Sequence, residues 1–421
     1  MHHFSYRNGH LHAEDNDLTR IAEDIGTPFY CYSEATLRRH FTVFRDAFDG
    51  RDTLIAFSVK ANSNIAVLKI LASEGAGADI VSVGEYKRAR AAGIPAEKIV
   101  FSGVGKTRDE LNHALSEGVH QFNVESENEL HALNAVALER GARAPIAFRV
   151  NPDVSAGGHE KISTGKAEDK FGIPWRRARA LYAEAAALNG IDIKGVDVHI
   201  GSQITALAPF EAAFQRVADL VTDLRSDGIT IERIDLGGGL GIPYGNGETP
   251  PDPLAYAKMI RKVTDKLDVQ LIFEPGRMIA GNAGILVSRA VYVKKGEASQ
   301  FLIVDAAMND LMRPALYDAR HEIMSIIEPD PSANAEHYDV VGPVCETGDR
   351  FAKARPLPPI KEGDLIAFMS AGAYGAVLSS QYNTRPLVPE VLVNGNNYAV
   401  VRRRPTFEDI MTLEATPDWL G

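Results

Sequence analysis

The stretch Thr53-Leu54-Ile55-Ala56-Phe57-Ser58-Val59-Lys60-Ala61-Asn62-Ser63-Asn64 decides how the chain is read. A short apolar run of β type ends in a lysine just where the chain turns toward a helix. A lysine closing a buried strand is costly unless its amine is used or paired. In an apolar pocket such an amine gives up its proton and becomes a nucleophile toward an aldehyde. Standing alone, the same lysine reads as an ordinary strand-end side chain with its head in water. The neighbouring sequence chooses between the two.

Working outward, the strand-then-helix unit recurs. Apolar runs at Leu54–Val59, Ala78–Val81, Lys98–Phe101, Gln121–Val124, Ile146–Val150, Gly195–Ile200, Glu232–Leu236 and Gln270–Glu274 alternate with Ala- and Glu-rich amphipathic stretches. Eight such alternations over about 220 residues predict a closed parallel (β/α)8 barrel, with an open doubly wound sheet as the alternative. In both, reactive groups gather at the carboxyl ends of the strands. Lys60, Asp79, Ser82, Arg149, His199, Gly237-Gly238-Gly239-Leu240-Gly241 and Glu274-Pro275-Gly276-Arg277 all stand there. After Arg277 the texture changes to β-type runs separated by Gly- and Pro-rich turns, at Ile285–Lys294, Gln300–Asp305, His337–Val341, Asp364–Met369, Glu390–Val393 and Tyr398–Arg402. They predict a second, mostly antiparallel domain, a β-sandwich or β-barrel. The expected division is a barrel over 28–277 and a β domain over 278–421 that recruits residues 1–27.

Composition narrows the function. The net charge is −11 and no basic stripe occurs, which argues against a nucleic-acid partner. No run of 18 apolar residues occurs and the first residues lack a signal-peptide core, so no membrane is expected and the cytoplasm is. Two cysteines, Cys31 and Cys345, make neither a disulfide framework nor a zinc site, and no metal is expected.

Each motif has a bland and a chemical reading. The glycine run is either a tight turn or a phosphate cradle, where bare backbone lets N–H groups approach an anion. It does not match the dinucleotide fingerprint, because Tyr244 stands where a third glycine belongs. Glu274 and Arg277 form either a strand-end ion pair or a carboxylate that keeps a pyridine nitrogen protonated. His199 is either a packed core histidine or a flat ring lying on a planar cofactor.

Lysine, imidazole, carboxylate and glycine run together describe a holder for pyridoxal 5′-phosphate, and at this point a resemblance emerges. The barrel-type, alanine-racemase-like pyridoxal-phosphate decarboxylases carry, in the same order, Ser58-Val59-Lys60-Ala61-Asn62, His199-Ile200-Gly201-Ser202, Gly237-Gly238-Gly239, Glu274-Pro275-Gly276-Arg277, Gly342-Pro343-Val344-Cys345-Glu346 and Gly372-Ala373-Tyr374-Gly375. The resemblance spans nearly the whole chain. The segment Asp305-Ala306-Ala307-Met308-Asn309-Asp310-Leu311-Met312-Arg313-Pro314-Ala315-Leu316-Tyr317-Asp318 is similar to the substrate-recognition segment of the branch that acts on diaminopimelate. Members acting on ornithine or arginine, whose substrates end in a cation, lack such a run.

The resemblance implies catalytic roles for Lys60, His199 and Cys345. Lys60 carries the cofactor, His199 stacks on it and Glu274 faces its ring nitrogen. Ser202, Gly239, Pro275, Gly276, Arg277 and Tyr374 secure it. Arg277, Arg313 and Tyr317 read the substrate's distal carboxylate, Glu346 reads its distal ammonium and Tyr374 also lines the substrate. Cys345 gives a proton to the α-carbon, and with Glu346 it reaches into a partner subunit's site, so a homodimer is implied. Thr347 stands where serine is usual, with the hydroxyl kept. The implied activity is decarboxylation of meso-2,6-diaminopimelate to L-lysine and carbon dioxide, the last step of bacterial lysine biosynthesis. A decarboxylase for a different amino acid, a racemase-like enzyme and a non-catalytic cofactor carrier are the alternatives. Asp153–Lys170, rich in Gly, Ser and Lys, is the expected lid.

Overall fold

The computed structural model describes residues 2–154, 170–245, 247–297 and 299–420. Most of the expected lid, residues 155–169, lies outside the described residues. The chain divides into two compact units, one of residues 37–243 and 247–280, the other of residues 1–36, 244–246 and 281–421.

Strands are numbered along the chain. β1 (Phe4–Arg7), β2 (His10–Ala13) and β3 (Asn16–Asp17) make a three-stranded antiparallel sheet of their own. β4 (Phe29–Ser33) is buried at every residue and enters the large sheet of the second unit. The sequence reading grouped β4 with the barrel and sent residues 1–27 into the large sheet. The pairing goes the other way because a fully apolar Phe-Tyr-Cys-Tyr run suits a central strand, not a helix-flanked end.

The barrel follows. β5 (Thr53–Ser58), β6 (Gly77–Ile80), β7 (Ile99–Phe101), β8 (Gln121–Val124), β9 (Ala144–Asn151), β11 (Ile191–Asp197), β12 (Arg233–Asp235) and β13 (Gln270–Phe273) pair in parallel around a closed ring, with the two-residue β10 (Ile173–Pro174) beside β9. Closure is made by β13 on β5, where Phe273 pairs with Ile55. Side-chain caps start the outer helices: Asn64 accepts from the Ala66 N–H, Thr107 and Glu110 form a capping box, and Ser126 accepts from the Glu129 N–H.

Period-two alternation points alternate strand residues into the barrel. Toward its amino end the interior is apolar, with Leu54, Ala56, Val100 and Ile272 in one buried cluster. Two residues further along, the inward positions become Ser58, Ser102 and Glu274, and the other strands bring Asp79, Asn123, Arg149, Asp197 and Asp235 to the same end. All eight are buried. Outside the barrel wall Phe273 packs on Phe48 at 4.3 Å between centroids and edge-on against Phe44 at 5.6 Å.

The second unit is a mostly antiparallel sheet of β14 (Gly284–Lys295), β15 (Gln300–Val304), β16 (Ile323–Ser325), β17 (Glu336–Val341), β18 (Arg350–Leu357), β19 (Leu365–Phe368), β20 (Glu390–Asn394) and β21 (Asn397–Arg402) together with β4. β15 with β17 and β20 with β4 are its parallel pairs. β18 escaped the sequence reading because Arg350, Lys353, Arg355 and Pro356 give it the polar, proline-bearing composition of an edge strand.

Phe273→Ala removes a ring that holds the strand closing the barrel against its outer helices. It should cost about 3–5 kcal/mol of unfolding free energy in a denaturant titration. A loss below about 1 kcal/mol would show that the ring is not part of a close-packed wall.

Candidate functional site

Lys60 leaves the barrel wall on a short 3-10 turn, Val59–Ala61, directly after β5. Its Nζ donates to Asp79 Oδ2 at 2.7 Å, with 36% of the lysine side chain exposed and none of the aspartate. The sequence reading imagined an apolar pocket around this amine. The structure instead meets it with a carboxylate while leaving its head within reach. Ser58 Oγ donates to the same Asp79 oxygen at 2.7 Å, which fixes the carboxylate on the side of the lysine.

The polar end of the barrel is one network. Asn123 Nδ2 reaches Ser102 Oγ at 3.2 Å, Asp235 Oδ2 at 3.1 Å and Glu274 Oε1 at 3.3 Å, and Ser102 Oγ donates to Glu274 Oε1 at 3.1 Å. Carboxylate oxygens of Asp197, Asp235 and Glu274 lie within 4.8 Å of one another. Burial raises the proton affinity of all three well above the usual carboxylate range, and the neighbouring carboxylates push each further the same way. Lys60 and Arg149 oppose this at Glu274. Arg149 donates to Glu125 at 3.2 Å and lies over Phe171 at 4.8 Å.

His199 follows β11. The Gly238 N–H donates to its Nδ1 at 3.1 Å, so its proton sits on Nε2. Burial first, then Arg149 and Lys60, hold the imidazole well below its ordinary pKa, and the ring is neutral. The amides of Gly237 and Gly238 donate to Asp235 and His199, so the phosphate role expected of the glycine run rests on Gly239. Gly239 has φ +106°, and a Cβ there would meet Gly201 O at 2.5 Å; no other residue fits. Pro275 and Gly276 turn the chain into the short helix Arg277–Ala280, and Arg277 donates to Ser202 Oγ at 2.8 Å.

These barrel residues suit pyridoxal 5′-phosphate on their chemistry. A reachable amine stands at one strand end and a proton-rich buried carboxylate at another. A neutral flat ring and a close glycine approach complete the set. Asp79 Oδ1, Asp197 Oδ1 and Arg149 Nη2 are buried without a hydrogen-bond partner among the described residues, as expected of groups shaped around a polar ligand.

The remaining predicted residues belong to the second unit, in separate segments. Arg313 opens the five-residue helix Arg313–Tyr317. It is buried, donates to His321 Nε2 at 2.9 Å and lies over the Tyr244 ring at 4.5 Å. Tyr317, at the helix end, is half-buried. Cys345 and Glu346 sit on an exposed loop, where the Tyr382 hydroxyl donates to Glu346 at 3.1 Å. Buried Asp349 anchors that loop, accepting from the Val344 N–H and the Met308 N–H at 2.7 Å each. Tyr374 has φ +55°, a left-handed conformation unusual for a bulky residue.

A family model described as pyridoxal-dependent decarboxylase, pyridoxal binding domain, matches residues 34–281. The diaminopimelate decarboxylase of Zymomonas mobilis subsp. mobilis is 50% identical over 421 residues, covering 99% of each chain. The structure of the Helicobacter pylori diaminopimelate decarboxylase complexed with L-lysine superposes with a TM-score of 0.91 at 40% identity, over 94% of this chain and 99% of that one. The M. jannaschii diaminopimelate decarboxylase in co-complex with L-lysine gives 0.94 at 34%, over 99% and 98%.

Asp235 binds its proton more tightly folded than unfolded. Between its ordinary value near 4 and its raised folded value the native state holds the extra proton, so its contribution to stability falls as pH rises. Asparagine carries no such proton. Without cofactor, Asp235→Asn should therefore gain thermal stability relative to the parent progressively as the pH rises above the ordinary carboxylate range. A difference independent of pH would mean that the cluster does not share protons.

Proposed function

Because the chain belongs to the pyridoxal-dependent decarboxylases, among the diaminopimelate decarboxylases, we propose that it converts meso-2,6-diaminopimelate to L-lysine and carbon dioxide. The observation that carries this is the joint presence of the Lys60–Asp79 and Glu274 arrangement in the barrel and the buried Arg313 in the second unit.

When bound, pyridoxal 5′-phosphate supplies an electron sink that lets the bond from the α-carbon to its carboxylate break. Lys60 would hold its aldehyde end, with Asp79 orienting the lysine amine. Glu274 would keep the ring nitrogen protonated, and the acids beside it would favour a cation there. His199, neutral, would stack on the ring without adding charge. Ser202, Gly239, Pro275, Gly276, Arg277 and Tyr374 secure the phosphate and ring. Arg277, Arg313 and Tyr317 read the distal carboxylate, Glu346 reads the distal ammonium and Tyr374 lines the substrate. Cys345 delivers the proton that replaces carbon dioxide. Cys345 and Glu346 are read as serving a partner subunit's site in a homodimer, a reading supported by their exposure on an anchored loop. No helix among the described residues is long and apolar enough to cross a membrane, and the substrate is a small polar metabolite, which supports a cytoplasmic enzyme.

Purified protein given pyridoxal phosphate and meso-diaminopimelate should release lysine and carbon dioxide in equal amounts. Ornithine and arginine, lacking the distal carboxylate, should react about 10⁴-fold less efficiently because buried partners are left unmatched. Comparable turnover of ornithine would overturn the assigned substrate.

The shared site is tested by mixing. Lys60→Ala and Cys345→Ala should each be inactive alone, and activity should return when the two are dissociated and reassociated together. Failure to regain activity, with mixed dimers verified, would place both residues in one subunit's site.

A further inference from the structure

His321 is 2% exposed and takes no part in the roles assigned above. Its Nδ1 lies 2.8 Å from the Met369 carbonyl oxygen and its Nε2 lies 2.9 Å from Arg313 Nη1. A carbonyl can only accept, so Nδ1 carries the proton. A guanidinium can only donate, so Nε2 offers its lone pair to Arg313. The two contacts therefore demand one tautomer of a neutral imidazole. The Tyr244 ring, edge-on to His321 at 5.5 Å between centroids, has the same guanidinium over it at 4.5 Å.

We propose that His321 and Tyr244 are positioning residues for Arg313, setting the plane and aim of the guanidinium that selects the distal carboxylate of the substrate. This rests on the reading of Arg313 given above. A carboxylate in either place would answer the charge of Arg313 and compete with the substrate. An imidazole lone pair and a ring face orient the group without doing so. The backbone bond from His321 to Met369 ties that orientation to the end of β19 instead of to a mobile side chain.

The test uses two ligands that differ only in the group Arg313 reads. L-Lysine, the product, keeps the distal carboxylate, and pentane-1,5-diamine is lysine without it. In the cofactor-loaded enzyme, His321→Asn keeps a donor near Nδ1 but cannot reach Arg313, whereas His321→Gln brings a carbonyl oxygen toward the position of Nε2. His321→Asn should weaken lysine binding and raise the KM for diaminopimelate by about tenfold, the loss of one hydrogen bond to a charged group. Pentane-1,5-diamine binding and the visible spectrum of the cofactor should be unchanged, and His321→Gln should recover most of the lysine affinity. Tyr244→Leu should act in the same direction and Tyr244→Phe should be near neutral.

Equal weakening of both ligands, or Asn and Gln behaving alike, would mean that His321 is merely structural and would overturn the proposal. So would unchanged lysine affinity in His321→Asn. Arg313→Ala separates this from the underlying reading. If it too leaves lysine binding intact, the role of Arg313 is wrong. If it weakens lysine while His321→Asn does not, only the positioning claim fails.

Discussion

Three carboxyl groups packed into the mouth of a closed barrel cannot all be charged, and the barrel unit is arranged around that constraint. Asp197, Asp235 and Glu274 have little water to ionise into. Asn123, Ser102 and the Gly237 amide donate into the cluster, which orders it without neutralising it. A cation placed above these acids gains what they otherwise lack. The ring nitrogen of a pyridoxal cofactor would meet that need, because the electrostatics that raise the proton affinity of these acids would also favour its protonated form. Such a cofactor would complete the barrel's charge balance as well as supply its chemistry.

The amine end obeys a complementary logic. Lys60 stands one turn beyond its strand, paired to an aspartate that a serine on that strand holds in place. A lysine sealed in an apolar pocket would be reactive but hard to displace and re-form. One held by a carboxylate at the rim keeps a fixed direction while its head stays within reach, which would suit a residue that binds a cofactor reversibly.

Much of this was legible in the sequence. The eight barrel strands announced themselves by alternation with amphipathic helices, and Lys60, His199, Gly239 and Glu274 were visible because they are odd residues at strand ends. Ser102, Asn123, Asp197 and Asp235 were not singled out, although the structure gathers them with Glu274 at one end of the barrel. Their signal was present in Gln121-Phe122-Asn123-Val124 and Gly195-Val196-Asp197, where a polar side chain interrupts a buried run at the inward phase. Such an interruption is easily taken for a strand end. His321 and Tyr244 could not be found this way, because their relation to Arg313 joins segments far apart in the chain. β18 was hidden by the polar composition that protects an edge, and the extended segment around β4 was assigned to the wrong unit because it stands ahead of the barrel.

Asp349 links two things that evolution would otherwise be free to vary apart. One of its oxygens holds the Met308 amide and the other holds the Val344 amide. The first lies in the stretch that leads to Arg313 and the second in the loop that carries Cys345. Moving the stretch that leads to Arg313 would therefore disturb the loop that carries Cys345 as well, so changes in the two segments should arise as paired replacements instead of by drift at single positions.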